Sequence, residues 1–138
     1  MKGPKVPEGW RIIHRPLPAG RRGTCCWATK TITIDSSLDS RGKRFALLHE
    51  TLHAVRGPVA PYNRSKEEVA INRLAAKILI PFENLQKALA EQTNIWEAAE
   101  ALDVEVEALQ LRLKTLTSKE KKQLEKGKQN EQHQEAVL

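Results

Sequence analysis

With 138 residues, and 23 basic against 17 acidic groups, the chain carries a net charge of +6, and its length fits one domain around one core. Hydrophobic residues make up 40% and charged residues 29%, the balance of an ordinary soluble globular protein. No stretch approaches the roughly 18–20 continuous apolar residues that cross a bilayer, and the basic start of the chain lacks a following apolar run, so no membrane partner and a cytoplasmic location are expected.

The charge is uneven. Residues 1–44 hold 10 basic and 3 acidic groups, a net +7; residues 45–113 come to −3 and residues 114–138 to +2. The basic third could make a weak contact with nucleic acid or an acidic protein, with Arg21, Arg22, Lys43 and Arg44 as the residues to test. A solvated face that only keeps the chain soluble is the plainer reading. Cys25 and Cys26 are adjacent, and neighbouring cysteines rarely bridge each other, which fits a reducing compartment. Without a second cysteine pair they read as strand or turn positions before metal ligands.

Residues 1–23 are rich in Pro, Gly and Arg and read as largely irregular, with one short strand at Trp10–His14. Cys25–Trp27 and Thr31–Asp35 follow as two more strands, the second alternating Thr with Ile as a half-buried strand does. The expected fold class is α+β: a small N-terminal antiparallel sheet, a metal-binding helix, then a helical bundle. Asp35, Ser36 and Ser37 offer turn and capping oxygens before a helix over about residues 40–55. Phe45, Leu48, Leu52 and Val55 give that helix an apolar face, and Gly57 and Pro58 end it. A second helix opens at Ser65, where Ser65 and Glu68 match a capping box. Val69, Leu74 and Ile78 form its buried face, and Pro81 stops it. Supporting helices follow at about 82–90, 93–102 and 104–116, completing a domain over residues 1–116. The tail, 117–138, is Lys, Glu and Gln with few apolar residues, so frayed helix or disorder is expected there.

The chemistry is carried by His49-Glu50-Thr51-Leu52-His53, a His-Glu-x-x-His pattern. Helical residues i and i+4 share a face, so His49 and His53 can reach one ion, and imidazole suits Zn²⁺. Glu50 beside them can take a proton from water and return it to a leaving amine. Three fixed positions in five are only moderately specific, but the pattern lies on an amphipathic helix. A catalytic zinc needs a third protein ligand. The other histidines, His14 and His133, lie in the first strand and the tail, which leaves a carboxylate of the following helix, Glu67 or Glu68. Plain N-terminal helix charge accounts for either. Glu68 shares a face with Asn72, and a ligand carboxylate with a polar residue one turn later resembles the gluzincin pattern, in which that residue supports a ligand histidine. Glu68 is therefore favoured, with Asn72 as the support. Tyr62, in the loop between the two helices, is the candidate donor to a developing oxyanion, with surface packing as the plainer reading.

These segments together resemble the ImmA/IrrE metallo-endopeptidases. The likeness runs from Ile32–Asp35 through Arg44–Leu48 into the His49–His53 motif. It continues over Glu68–Pro81, similar to a family helix that closes on a Pro, and over Ala98–Val104, Ala108, Leu109, Arg112 and Leu113. It covers about residues 30–116. Ala70 and Ile71 depart from the family's usual residues, Leu74 stands for a usual Phe, and the loop 54–66 is short. The resemblance implies a zinc endopeptidase, one ion per chain, that cuts a DNA-bound helix-turn-helix repressor or an antitoxin-like partner, in a phage, mobile element or stress operon. The competing reading is a non-catalytic DNA- or protein-binding module, because residues 95–114 look like a helix-turn-helix. Glu105 and Glu107 at the start of its second helix would face phosphates unfavourably.

Overall fold

The computed structural model describes residues 3–137, with side chains to residue 127. Strands β1 (Arg11–Arg15), β2 (Gly23–Cys26) and β3 (Thr31–Asp35) precede α1 (Ser40–Arg56), a 3₁₀ turn at Pro61–Asn63, and α2 (Arg64–Leu79). Then come α3 (Phe82–Glu91), α4 (Ile95–Leu102), α5 (Val106–Lys114) and α6 (Ser118–Val137). The chain divides into two compact units, one up to Leu79 and one from Ile80. Among the described residues no helix is long and apolar enough to cross a membrane.

The fold is α+β, as expected, but the sheet is mixed and not wholly antiparallel. Its order is β1-β3-β2. β2 pairs antiparallel with β3, Cys25 opposite Ile32, while β1 pairs parallel with β3, Ile12 opposite Ile32. The physical reason is burial. Ile32 and Ile34 are fully buried, so β3 takes the centre, where both edges are paired, and the more exposed β1 and β2 flank it. The same central place buries Thr31 and Thr33, so β3 is not the half-buried strand that its alternation predicts.

Asp39 caps α1, accepting from the Gly42 N–H at 2.8 Å. Asp35 instead holds the preceding turn through Ser37. The helix stops at Gly57, whose φ of 88° suits glycine and whose N–H returns to the His53 carbonyl. Ala46 packs against Ile32 and Ile34. Leu52 joins Ile71 and Ala75 of α2, with Phe45, Leu48, Leu74 and Ile78 around them. Two residues assigned to buried faces are not buried: Val55 and Val69 are each 54% exposed. The inward stripe of α2 instead runs through Glu68, Ile71, Asn72 and Ala75, so polar residues occupy places where an apolar pattern was sought. Ser65 lies inside the first turn of α2, which continues from the 3₁₀ turn, and Glu68 is turned to other partners.

In the second unit, α3–α6 bury Leu85, Ala98, Ala99, Val104 and Leu109. Asn94 caps α4, and Asp103 ends it in the left-handed region at φ 55°. Arg112 is buried and donates from Nε to the Ile80 carbonyl at 2.7 Å. The tail expected to be frayed or disordered carries α6, which packs on α3. Its start is a capping box: the Thr117 hydroxyl accepts from the Glu120 N–H at 3.1 Å, and Glu120 accepts from the Thr117 N–H at 3.0 Å. His133 lies outside the described side chains.

Ile71 joins the two helices of the first unit. Ile71→Ala in the metal-free protein should cost about 2–4 kcal/mol in urea unfolding with an unchanged slope. A loss well under 1 kcal/mol would show that this contact is not what holds α1 to α2.

Candidate metal centre

α1 carries His49, Glu50 and His53 on its inner side, and the first three turns of α2 carry Glu68 and Asn72. The imidazoles meet, Nε2 to Nε2, at 3.2 Å. Glu68 spans both, Oε2 lying 3.0 Å from His49 Nε2 and Oε1 2.6 Å from His53 Nε2. Three donor residues therefore converge from two helices. Neighbouring ligands of a tetrahedral zinc with bonds near 2.0–2.1 Å stand about 3.3 Å apart; the 3.2 and 3.0 Å separations lie near that and the 2.6 Å one would have to open, so the set suits a divalent cation in its donor chemistry. Of the two adjacent carboxylates, Glu68 is the one brought to the histidines. Glu67 is held by Arg56 at 2.7 and 3.0 Å.

The candidate ligand groups are supported from behind. Asn72 hydrogen-bonds the His49 side chain, the position that its spacing from Glu68 predicts. Burial above all holds His49 below the usual imidazole range, outweighing the Glu68 carboxylate, so the ring is neutral at pH 7, the form that binds metal. The His53 carbonyl accepts from Trp27 Nε1–H at 3.2 Å, and the Trp27 ring lies edge-on to the His53 ring.

Glu50 is only 7% exposed, and its carboxylate lies within 4.8 Å of the His49 and His53 ligand atoms. Burial, then the Glu68 charge, pushes its carboxyl up to about 7, while Arg21 opposes the shift. A bound cation acts in the same direction as Arg21. Gly23 of β2 is fitted to this side chain: a Cβ there would meet Glu50 Cγ at 2.9 Å and Oε2 at 3.2 Å.

A cleft of about 340 Å³ opens onto these groups, lined among others by Arg21, Thr24, Cys25, Trp27, Glu50, His53, Val59 and Glu68. The Cys25 thiol, pushed up to about 12 by burial and then by Glu50, faces it uncharged. Tyr62 is not brought to the site. It stands 85% exposed on the 3₁₀ turn and is not among the cleft's lining residues. Sequence reading placed Arg21 only in the basic face and missed Gly23 and Trp27 at this site, which reach it from 26 or more positions before the residues they touch.

With this geometry in place, the comparison with protein families is decisive. Residues 8–114 match the IrrE N-terminal-like domain, a peptidase family. The chain belongs to that family. No curated protein sequence matches it. The match covers β1 to α5, so every residue of the candidate metal centre of this IrrE-type chain lies inside it.

A carboxyl whose folded pKa lies above its unfolded value binds its proton more tightly in the fold. Its contribution to stability is full below about pH 4.5 and is lost as pH rises through about 7. Metal-free Glu50→Gln, which cannot ionise, should therefore gain on the wild type by on the order of 2 kcal/mol between pH 4.5 and pH 8. Parallel stability–pH curves for the two proteins would contradict the buried placement of Glu50.

Proposed function

We propose that this chain is a zinc-dependent endopeptidase of the ImmA/IrrE type that cleaves a helix-turn-helix transcriptional repressor or an antitoxin-like partner. The observation that carries the reading is the convergence of His49 and His53 with Glu68 inside a matched peptidase domain. His49, His53 and Glu68 would hold the zinc, which when bound supplies Lewis-acid polarisation of a peptide carbonyl and of water. Glu50 takes a proton from the attacking water and delivers it to the leaving amine. Its burial keeps bulk water from competing for that proton. Arg21, which lines the cleft beside Glu50, is better placed than Tyr62 to face a developing oxyanion.

The repressor substrate rests on the resemblance to ImmA/IrrE enzymes, and the basic residues 1–44 are in keeping with a partner beside DNA. The DNA-binding alternative is the weaker reading. α5 starts with acidic residues, and its Arg112 is buried and engaged with a backbone carbonyl, so it cannot reach a phosphate.

The test is cleavage of a repressor encoded beside this chain. Zinc should be present at about one ion per protein and should be lost in His49→Ala/His53→Ala. Glu50→Gln should keep the zinc and lose about 10²–10⁴ in cleavage rate. Full zinc in the histidine double variant, or undiminished cleavage by Glu50→Gln, would sink the proposal.

Gly23→Ala offers a subtler check. Gly23 has no left-handed backbone angle, so alanine is tolerated by the chain, but its methyl displaces the Glu50 carboxylate. Cleavage should fall about 10- to 100-fold at unchanged zinc content, and an unaltered rate would show that the placement of Glu50 is not critical.

A further inference from the structure

The loop between α1 and α2 is pinned where it begins and ends. Arg56, the last residue of α1, donates from Nε to Glu67 Oε2 at 3.0 Å and from Nη2 to Glu67 Oε1 at 2.7 Å. The Glu67 side chain is only 10% exposed, the Arg56 side chain 41%. Most surface ion pairs contribute little, but a two-point guanidinium–carboxylate fork is the geometry that fixes orientation.

Each partner adjoins a residue of the metal centre. Arg56 follows His53 by three positions on α1, and Glu67 directly precedes Glu68 on α2. Consecutive helical residues point about 100° apart. Whichever way α2 is rotated about its axis, only one of the two carboxylates can face the histidines. With both oxygens of Glu67 occupied by Arg56, that rotation is set and Glu68 is the one delivered.

We propose that the Arg56–Glu67 fork is a positioning device: it sets the rotation of α2 that makes Glu68 the third metal ligand, and it keeps Glu67 from competing for the ion. This role presupposes the zinc site proposed above. Arg56 and Glu67 touch neither the ion nor the reacting atoms and act only through Glu68.

Charge alone predicts the opposite outcome, and that makes the role testable. Arg56 repels a divalent cation, so by Coulomb's law its removal should tighten zinc binding. Loss of positioning should weaken it. Zinc affinity is measured by competition with a chromogenic chelator, alongside the melting temperature of each metal-free protein. Arg56→Ala should bind zinc about 10- to 100-fold more weakly, the range seen when groups that orient metal ligands are removed. Arg56→Lys keeps the charge but not the fork and should fall between Arg56→Ala and the wild type; it also serves if the alanine variant fails to fold. Zinc binding by Arg56→Ala as tight as, or tighter than, the wild type overturns the proposal, as does wild-type affinity in Arg56→Lys if only that variant folds. A fall in metal-free melting temperature with unchanged affinity also overturns it, since the fork is then merely structural. A wild type that takes up no zinc overturns the metal site itself, a different result from zinc uptake that ignores Arg56.

Discussion

The first unit depends on one meeting: the Glu68 carboxylate spans two imidazole nitrogens that themselves lie 3.2 Å apart. Two ring nitrogens and two carboxylate oxygens this close must share protons among them, because neighbouring lone pairs would repel. The surrounding structure supplies what holds them there. Leu52, Ile71 and Ala75 lock α1 against α2, Asn72 bonds His49, and Trp27 bonds the carbonyl of His53. The apolar contacts provide the free energy, and the polar ones set the directions.

The small sheet has a role in this beyond its own core. β2 is an edge strand, and its Gly23, Thr24 and Cys25 line the cleft. The absence of a side chain at Gly23 is what lets Glu50 sit where it does, since a Cβ there would meet Glu50 Cγ and Oε2. Arg21, just before that strand, and Arg64 bring positive charge to a cleft whose acidic lining residues are Glu50, Glu67 and Glu68, and it is Arg21 that opposes the upward shift of Glu50. The general-base role proposed for Glu50 needs such a balance: enough burial to be basic, and enough positive charge nearby to remain ionisable.

Much of the centre was legible in the sequence because it is local. His49, Glu50 and His53 are linked by helical periodicity, as are Glu68 and Asn72, and Gly57 with Pro58 marks the end of α1. What could not be read locally is what comes from afar. β1 and β3 each hold two isoleucines, so strand order cannot be read from either segment, and the parallel pairing of β1 with β3 has no signature in them. Gly23 and Trp27 meet α1 across long stretches of chain. The apolar pattern also failed where the site itself intrudes. His49, Glu50, His53, Glu68 and Asn72 take inward positions, so Val55 and Val69 are left outside although hydrophobicity alone would bury them. Tyr62 was nominated by its nearness in the chain, but the 3₁₀ turn holds it in solvent.

X-ray absorption at the zinc edge tests the central claim most directly, because it reads the atoms around the ion without reference to activity. The account predicts a first shell of nitrogen and oxygen at about 2.0–2.1 Å with the outer scattering of two imidazoles, reduced by one light-atom ligand in Glu68→Ala. A sulfur shell near 2.3 Å would place Cys25 or Cys26 on the metal, and together with an unchanged spectrum in Glu68→Ala it would contradict the site described here.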